Sequence, residues 1–184
     1  MPTERPKPGE YNPYYDRYIS LIPGGDIVAT LASELPKTVA LLTSHGEEGE
    51  LRYGPDKWSV KEVVGHMSDT ERIMTYRALR IARNDRTPMA GFEQDDYIRG
   101  GPYAELQLAD LVEEFKSVRA ATLTFFSNLR AEDWTRRGIA NGDEISVRAL
   151  AYMTNPQGKV LRKRGTARGD RVMRSAPGWC FTKN

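Results

Sequence analysis

Cysteine is almost absent from this 184-residue chain, and long apolar runs are missing altogether. Because Cys180 is the only cysteine, no disulfide can form within the chain, and a reducing cytoplasm is the expected location. No stretch approaches the ~20 apolar residues that a membrane-spanning helix requires. The first residues, MPTERPKPGEYNPYY, place proline where a secretory signal needs an apolar core. We therefore expect a cytoplasmic protein with no membrane role.

Length and composition predict one globular domain, flanked by two segments of different character. Residues 1–25 are rich in proline and tyrosine and are predicted to be extended. Residues 26–153 form the helical domain. Residues 154–184 are predicted to be an irregular basic tail, with seven basic residues against one acidic residue between Lys159 and Arg174. This tail lacks interleaved aromatic residues, so nucleic acid is not a favoured partner.

The stretch from Trp58 to Arg83 is the strongest helix signal. Ser59 and Glu62 form a capping box, in which each side chain can bond to the backbone N–H of the other residue. Apolar residues of this stretch recur at helical spacing along one face: Val60, Val64, Met67, Met74, Ala78 and Ala82. The sequence therefore predicts a long amphipathic helix that begins directly after Ser59.

Three further helices are predicted on the same grounds. One begins after Asp26, one runs from about Ala104 to Leu129, and a short one begins after Ser146 and fails near Met153. The stretch from Thr135 to Glu144 contains two glycines and is predicted to be a connector. With no strand indicated, the expected fold is an all-α four-helix bundle whose fourth helix is short or disrupted.

Two charged residues fall in the middle of apolar helix faces. Glu71 lies on the stripe of the Trp58–Arg83 helix, and Arg119 lies on the stripe of the next long helix. Each charge would be desolvated alone, so we predict that the two meet as a buried, hydrogen-bonded pair. A structural role is favoured over a catalytic or ligand-orienting role for Glu71.

His66 lies on the flank of the same stripe, beside Thr70 and Arg77. An imidazole at the edge of an apolar face can serve as a metal ligand or a general base, although such residues are often only packed or half-exposed. The other histidine, His45, sits in a polar loop and is predicted to be solvated.

A third candidate region is the punctuated stretch between the second and third bundle helices. Its length of about twenty residues is unusual for a connection inside a compact domain and is often a sign of function. Asp95, Asp96 and Tyr97 are candidates to line a pocket there, and a solvated acidic loop is the competing interpretation.

Several blocks in this order resemble the DinB-like family of four-helix bundles, which includes the YfiT-type metal-dependent hydrolases. The blocks are KWSVKEVVGHMSDTERIMTYRALRIAR, TPMAGFEQDDY, LVEEFKSVRAATLTFFSNL, DWTRRG and ISVRALAY. The resemblance implies a bundle with up-down-down-up topology that often forms homodimers. It also implies a small-molecule substrate, whose identity the resemblance does not give. It also implies a divalent metal, zinc or nickel, held by three histidines. One of these comes from the second helix and two from an H-x-x-x-H motif on the fourth.

His66 matches the first ligand of the family, in the setting Gly65-His66-Met67. No histidine follows it, and the window after Tyr152 reads MTNPQGKVLRKR, where the paired histidines are expected. One imidazole does not make a tight zinc or nickel site, which normally takes three or four protein ligands. The resemblance therefore implies a metal-binding residue whose two partners are missing.

Two explanations stay open for the missing motif. The bundle has lost its metal ligands naturally, or the segment after about Met153 derives from a shifted reading frame, which the abrupt change in its character favours. An H-x-x-x-H in another frame of the gene would support the second. Correspondingly, the chain is either a hydrolase or thiol-dependent transferase of the DinB type with an incomplete metal site, or a non-enzymatic binding or dimerisation module.

Overall fold

The structure, a computed structural model, describes residues 4–44, 49–52 and 54–155. The predictions for His45 and for the basic segment after residue 155 lie outside this part of the chain. The helices are α1 (Asp16–Ile19), α2 (Ile27–Thr43), α3 (Val60–Ala82), α4 (Gln94–Gly100), α5 (Leu108–Ser127) and α6 (Val147–Met153). Short 3-10 helices span Pro13–Tyr15 and Ala131–Thr135, and two strands, β1 (Arg137–Ala140) and β2 (Asp143–Ser146), precede α6.

Helices α2, α3, α5 and α6 form the bundle, and side-chain contacts give the directions of the two long central helices. Arg119 pairs with Glu71, and Thr122 contacts Thr75, at 3.2 Å between the hydroxyl oxygens. Both contacts advance in the same direction along the two helices, so α3 and α5 are parallel. Parallel neighbours need a long crossover, which explains the extended connection of residues 83–107 and the short helix α4 within it.

Helices α2 and α6 run opposite to the central pair. The start of α6 lies beside the end of α3, because the Val147 N–H donates to the carbonyl of Arg136 (3.1 Å), whose guanidinium bonds to the carbonyl of Ala82. On α2, Leu42 joins the apolar cluster that contains the start of α3 and Leu31 joins the one that contains its second half. This is the up-down-down-up order, which confirms the predicted all-α bundle.

Capping side chains fix where the bundle helices begin. Asp26 accepts the backbone N–H groups of Val28 and Ala29 before α2, and the capping box of Ser59 and Glu62 is complete before α3. The Ser146 hydroxyl accepts the N–H of Ala149 before α6. These three starts agree with the sequence predictions, because an N-cap is a local signal that needs no tertiary contact.

The prediction that no strand is present was wrong for residues 137–146. Strands β1 and β2 form an antiparallel hairpin in which Ala140 pairs with Asp143. Asn141 and Gly142 both have positive φ, at 54° and 78°, which is the backbone that a tight two-residue hairpin turn requires. The Asn-Gly pair was the available signal, and the hairpin places Ser146 at the start of α6.

The N-terminal segment is not simply extended, as the sequence predicted for residues 1–25. Its residues 13–19 are helical, and Tyr11, Tyr15 and Ile19 are buried against the bundle. The physical reason is that Asn12 caps the first turn and the apolar side chains gain burial on the core. The segment therefore packs against the bundle.

No helix in the described residues has the length and apolar composition of a membrane span.

Candidate functional site

His66 lies inside the bundle, on the N-terminal half of α3, with 6% of its surface exposed. The Trp58 ring packs against the imidazole, with ring centroids 4.8 Å apart. The Thr70 hydroxyl, one turn later on α3, lies 3.4 Å from Nε2 and 3.5 Å from Nδ1. Burial lowers the pKa of His66 to about 4. The imidazole is therefore neutral at physiological pH, which is the form that ligates metals.

Within the described residues, the donor set around His66 does not fit a zinc or nickel centre. In the described residues, no group of three histidine, cysteine or acidic side chains could hold a metal ion. The carboxylates on α3 have other partners: Glu62 pairs with Arg52, Asp69 accepts the Tyr103 hydroxyl, and Glu71 is paired with Arg119. His66 alone supplies one ligand where such a metal takes three or four.

The end of α6 approaches His66 without reaching its level. The Thr154 carbonyl, at the cap of α6, accepts a bond from the Arg119 guanidinium that also binds Glu71. Glu71 follows His66 by five residues, which is little more than one helical turn. Because α6 is antiparallel to α3, a helix that continued past Thr154 would come beside His66.

Glu71 and Arg119 form a two-pronged ion pair in the middle of the bundle. Arg119 Nε and Nη2 each donate to one carboxylate oxygen of Glu71, both at 2.7 Å. The same guanidinium donates to the carbonyls of Leu31 on α2 (3.3 Å) and Thr154 after α6 (3.2 Å). Arg119 thus connects all four bundle helices, and its guanidinium is occupied by the Glu71 carboxylate and two backbone carbonyls. This geometry suits a structural role.

Asp95, Asp96 and Tyr97 lie on α4, so the proposed pocket loop is a helix. Both aspartates are exposed, and Asp96 forms an ion pair with Arg99 one turn later. Tyr97 is 43% exposed and packs its ring edge against Phe92, at 5.1 Å between centroids. The helix buries only Ile98, so these acidic side chains face outward.

Sequence reasoning did not single out the buried cations Arg77 and Arg148. Arg148, at the start of α6, pairs with Glu10 of the N-terminal segment, and Arg77 of α3 is buried beneath the connection that leads to α4. Arg77 occupies the flank of α3 that carries His66 and Thr70. Its position beside an apolar stripe could therefore have indicated from the sequence that it is buried. For Arg148 the partner is more than one hundred residues away, and no local pattern indicates it.

The fold and the site together define a class: four-helix bundles with up-down-down-up topology and a buried histidine on the second helix. The model of the DinB superfamily matches residues 30–156. The chain therefore belongs to the DinB superfamily. No curated protein matches the sequence.

Two solved structures share the fold at low identity. YfiT from Bacillus subtilis, described as a probable metal-dependent hydrolase with an unusual four-helix bundle topology, is 12% identical with a TM-score of 0.56. That alignment covers 69% of this chain and 79% of YfiT. A mycothiol-dependent maleylpyruvate isomerase is 14% identical with a TM-score of 0.53. Its alignment covers 78% of this chain, which spans only 56% of the isomerase.

Proposed function

We propose that this chain is a non-enzymatic member of the DinB superfamily, in which the metal centre of a hydrolase or thiol-dependent transferase is incomplete. The observation that best supports this is the setting of His66. The imidazole is buried, neutral and packed on Trp58, and its carboxylate neighbours on α3 are committed to other partners. A divalent metal would supply Lewis-acid activation of a water or thiol in relatives of this kind, and the described residues do not assemble its ligand set.

Sequence composition supports the same proposal. The chain contains two histidines, and His45 is the only one besides His66. A three-histidine site therefore cannot be built from one copy of this chain. His66 itself keeps the properties of a ligand, so only its co-ligands are missing.

A titration of chelator-treated protein with Zn²⁺ and Ni²⁺ tests the proposal. We expect the natural chain to show no saturable one-to-one binding. A variant in which the residues after 155 are replaced by a helical segment with two histidines four residues apart should gain such binding, and His66→Ala should remove the gain. Saturable binding by the natural chain that His66→Ala abolishes would contradict the proposal.

We further propose that the module acts in the cytoplasm as a homodimer. Tyr76 and Leu79, one turn apart on α3, support a dimer because they are 55% and 39% exposed although both are large and apolar. Light scattering should give twice the chain mass, and the Tyr76→Glu, Leu79→Glu double variant should give a monomer. A monomeric natural chain would refute the dimer without affecting the metal proposal.

A further inference from the structure

Arg77 differs from the other buried cations of the described residues. Lys61, Arg119 and Arg148 are also less than a tenth exposed, and each has a carboxylate partner. Arg77 is 4% exposed and forms no ion pair with any carboxylate in the part of the chain that the structure describes. Its guanidinium donates to the carbonyl of Ala90 at 2.7 Å and makes a weak hydrogen bond to the Met74 sulfur at 4.0 Å.

A guanidinium has five N–H donors in a planar fork and stays charged in proteins. Removing such a charge from water is costly unless an opposite charge and further hydrogen bonds compensate. The single carbonyl of Ala90 compensates only part of this cost. In the described residues, Ala90 supplies the only oxygen that accepts a hydrogen bond from Arg77, so a bound anion would improve the compensation of this charge.

Aromatic side chains surround this guanidinium. Its central carbon lies 5.8 Å from the centroid of the Phe92 ring, and Phe92 in turn packs against Tyr97. The Tyr15 and Tyr97 phenols are close enough to affect the Arg77 charge, while burial lowers its pKa. Tyr97 is 43% exposed, so the outermost ring of this aromatic group contacts solvent.

The site is separate from His66. Arg77 follows His66 by eleven residues, which places the two backbone positions about 16 Å apart along α3. Anion binding at Arg77 therefore requires no metal ligand, and it does not depend on the proposed function.

We propose that Arg77 binds the carboxylate of a small planar organic acid, with the apolar part of the acid packed against Phe92 and Tyr97. The guanidinium fork matches the two oxygens of a carboxylate, and such two-pronged pairs are among the strong hydrogen-bonded contacts. The aromatic neighbours favour an aromatic or unsaturated acid over a compact anion such as phosphate.

Thermal unfolding with sodium benzoate as the probe tests the site, with inorganic phosphate as the compact alternative. At about ten times its dissociation constant, benzoate should raise the midpoint of the natural chain by about 4 °C. The Arg77→Met variant should show no shift. The Arg83→Met control removes the same charge from the exposed end of α3 and should retain the full shift.

Unfolding without ligand gives a second, independent readout. Because Ala90 is exposed and its carbonyl can bond to water, Arg77→Met should keep or raise the midpoint of the ligand-free protein. If that variant fails to fold, Arg77→Lys keeps the charge without the fork and should weaken benzoate binding by about tenfold or more. No benzoate shift in the natural chain, an equal shift in both Arg77 variants, or binding of phosphate alone would overturn the proposal.

Discussion

The surroundings of His66 favour an uncharged imidazole. Trp58 covers one side of the ring, Thr70 supplies a hydroxyl, and the imidazole is buried. Protonation of the folded protein is therefore unfavourable, and burial lowers the pKa from 6.5 to about 4. The free energy of folding is therefore expected to depend on pH through His66, the residue matched to the first metal ligand.

His66 should make folding less favourable as the pH falls below neutral. The unfolded chain binds a proton at His66 near pH 6.5 and the folded chain near pH 4, so the contribution is complete above 6.5 and lost between these values. The loss amounts to about 3 kcal/mol. Denaturant unfolding from pH 4 to 7 should show this slope flattened in His66→Gln and retained in His45→Gln. If the free energy of unfolding changed with pH in the same way for the natural chain and for His66→Gln, its pH dependence could not be assigned to His66.

The Glu71–Arg119 pair should show strong coupling. Glu71→Gln or Arg119→Met leaves the other charge buried without its partner, and each should reduce the free energy of unfolding by about 3–5 kcal/mol. The double variant should lose much less than the sum of the single losses, because it removes both charges. Strict additivity in denaturant unfolding would show that the pair is not a coupled unit.

Helix α6 has seven residues, and a helix of this length has little stability without tertiary contacts. The N-terminal segment supplies some of these contacts. Glu10 accepts hydrogen bonds from the Ser146 hydroxyl (2.8 Å) and the Arg148 guanidinium, and its backbone carbonyl accepts the Ser146 N–H. Although burial acts to raise the pKa of Glu10, these bonds hold it below its ordinary value. The segment therefore anchors the start of the fourth bundle helix.

Removing the Glu10 carboxylate should loosen α6. Glu10→Ala leaves Arg148 without its buried partner and should cost about 3 kcal/mol, with faster hydrogen exchange at the α6 amides. Glu4→Ala is the matched control, because Glu4 contacts the same guanidinium at 3.5 Å but is two-thirds exposed. Its cost should stay below about 1 kcal/mol. Equal effects of the two variants would argue against the anchor.

Local signals determined which elements were predictable. The starts of α2, α3 and α6 follow from capping side chains, whose partners lie within three residues. The hairpin was missed because each strand has four residues and its apolar positions are few, although Asn141-Gly142 marked the turn. The helical start of the chain was missed because its burial depends on the bundle.

At the scale of the whole molecule, the contacts of Arg119 show how the four bundle helices are arranged. Its guanidinium reaches α2, α3 and the end of α6 from α5, between the two apolar clusters of the core. The sequence indicated that Glu71 needs a cationic partner. It could not indicate that the two carbonyls of Leu31 and Thr154 complete the site, because backbone carbonyls leave no trace in side-chain patterns. The helix directions came from the family resemblance, and the paired contacts now give them directly.

The arrangement of the bundle helices also bears on the two histidine ligands that the chain lacks. The end of α6 lies about one turn from the level of His66, and the family resemblance implies that the paired histidines would follow it in sequence. Those positions carry no histidine in this chain. We therefore propose that this chain has the bundle framework of the family with an incomplete metal centre.

Metal content per chain tests this claim most directly. The protein is produced in cells supplied with zinc and nickel, purified without chelator and measured by mass spectrometry, beside the His66→Ala variant. We predict less than about 0.1 metal ion per chain in both, because one imidazole cannot replace three or four ligands. About one ion per natural chain, lost in His66→Ala, would contradict the claim and restore a metal centre at His66.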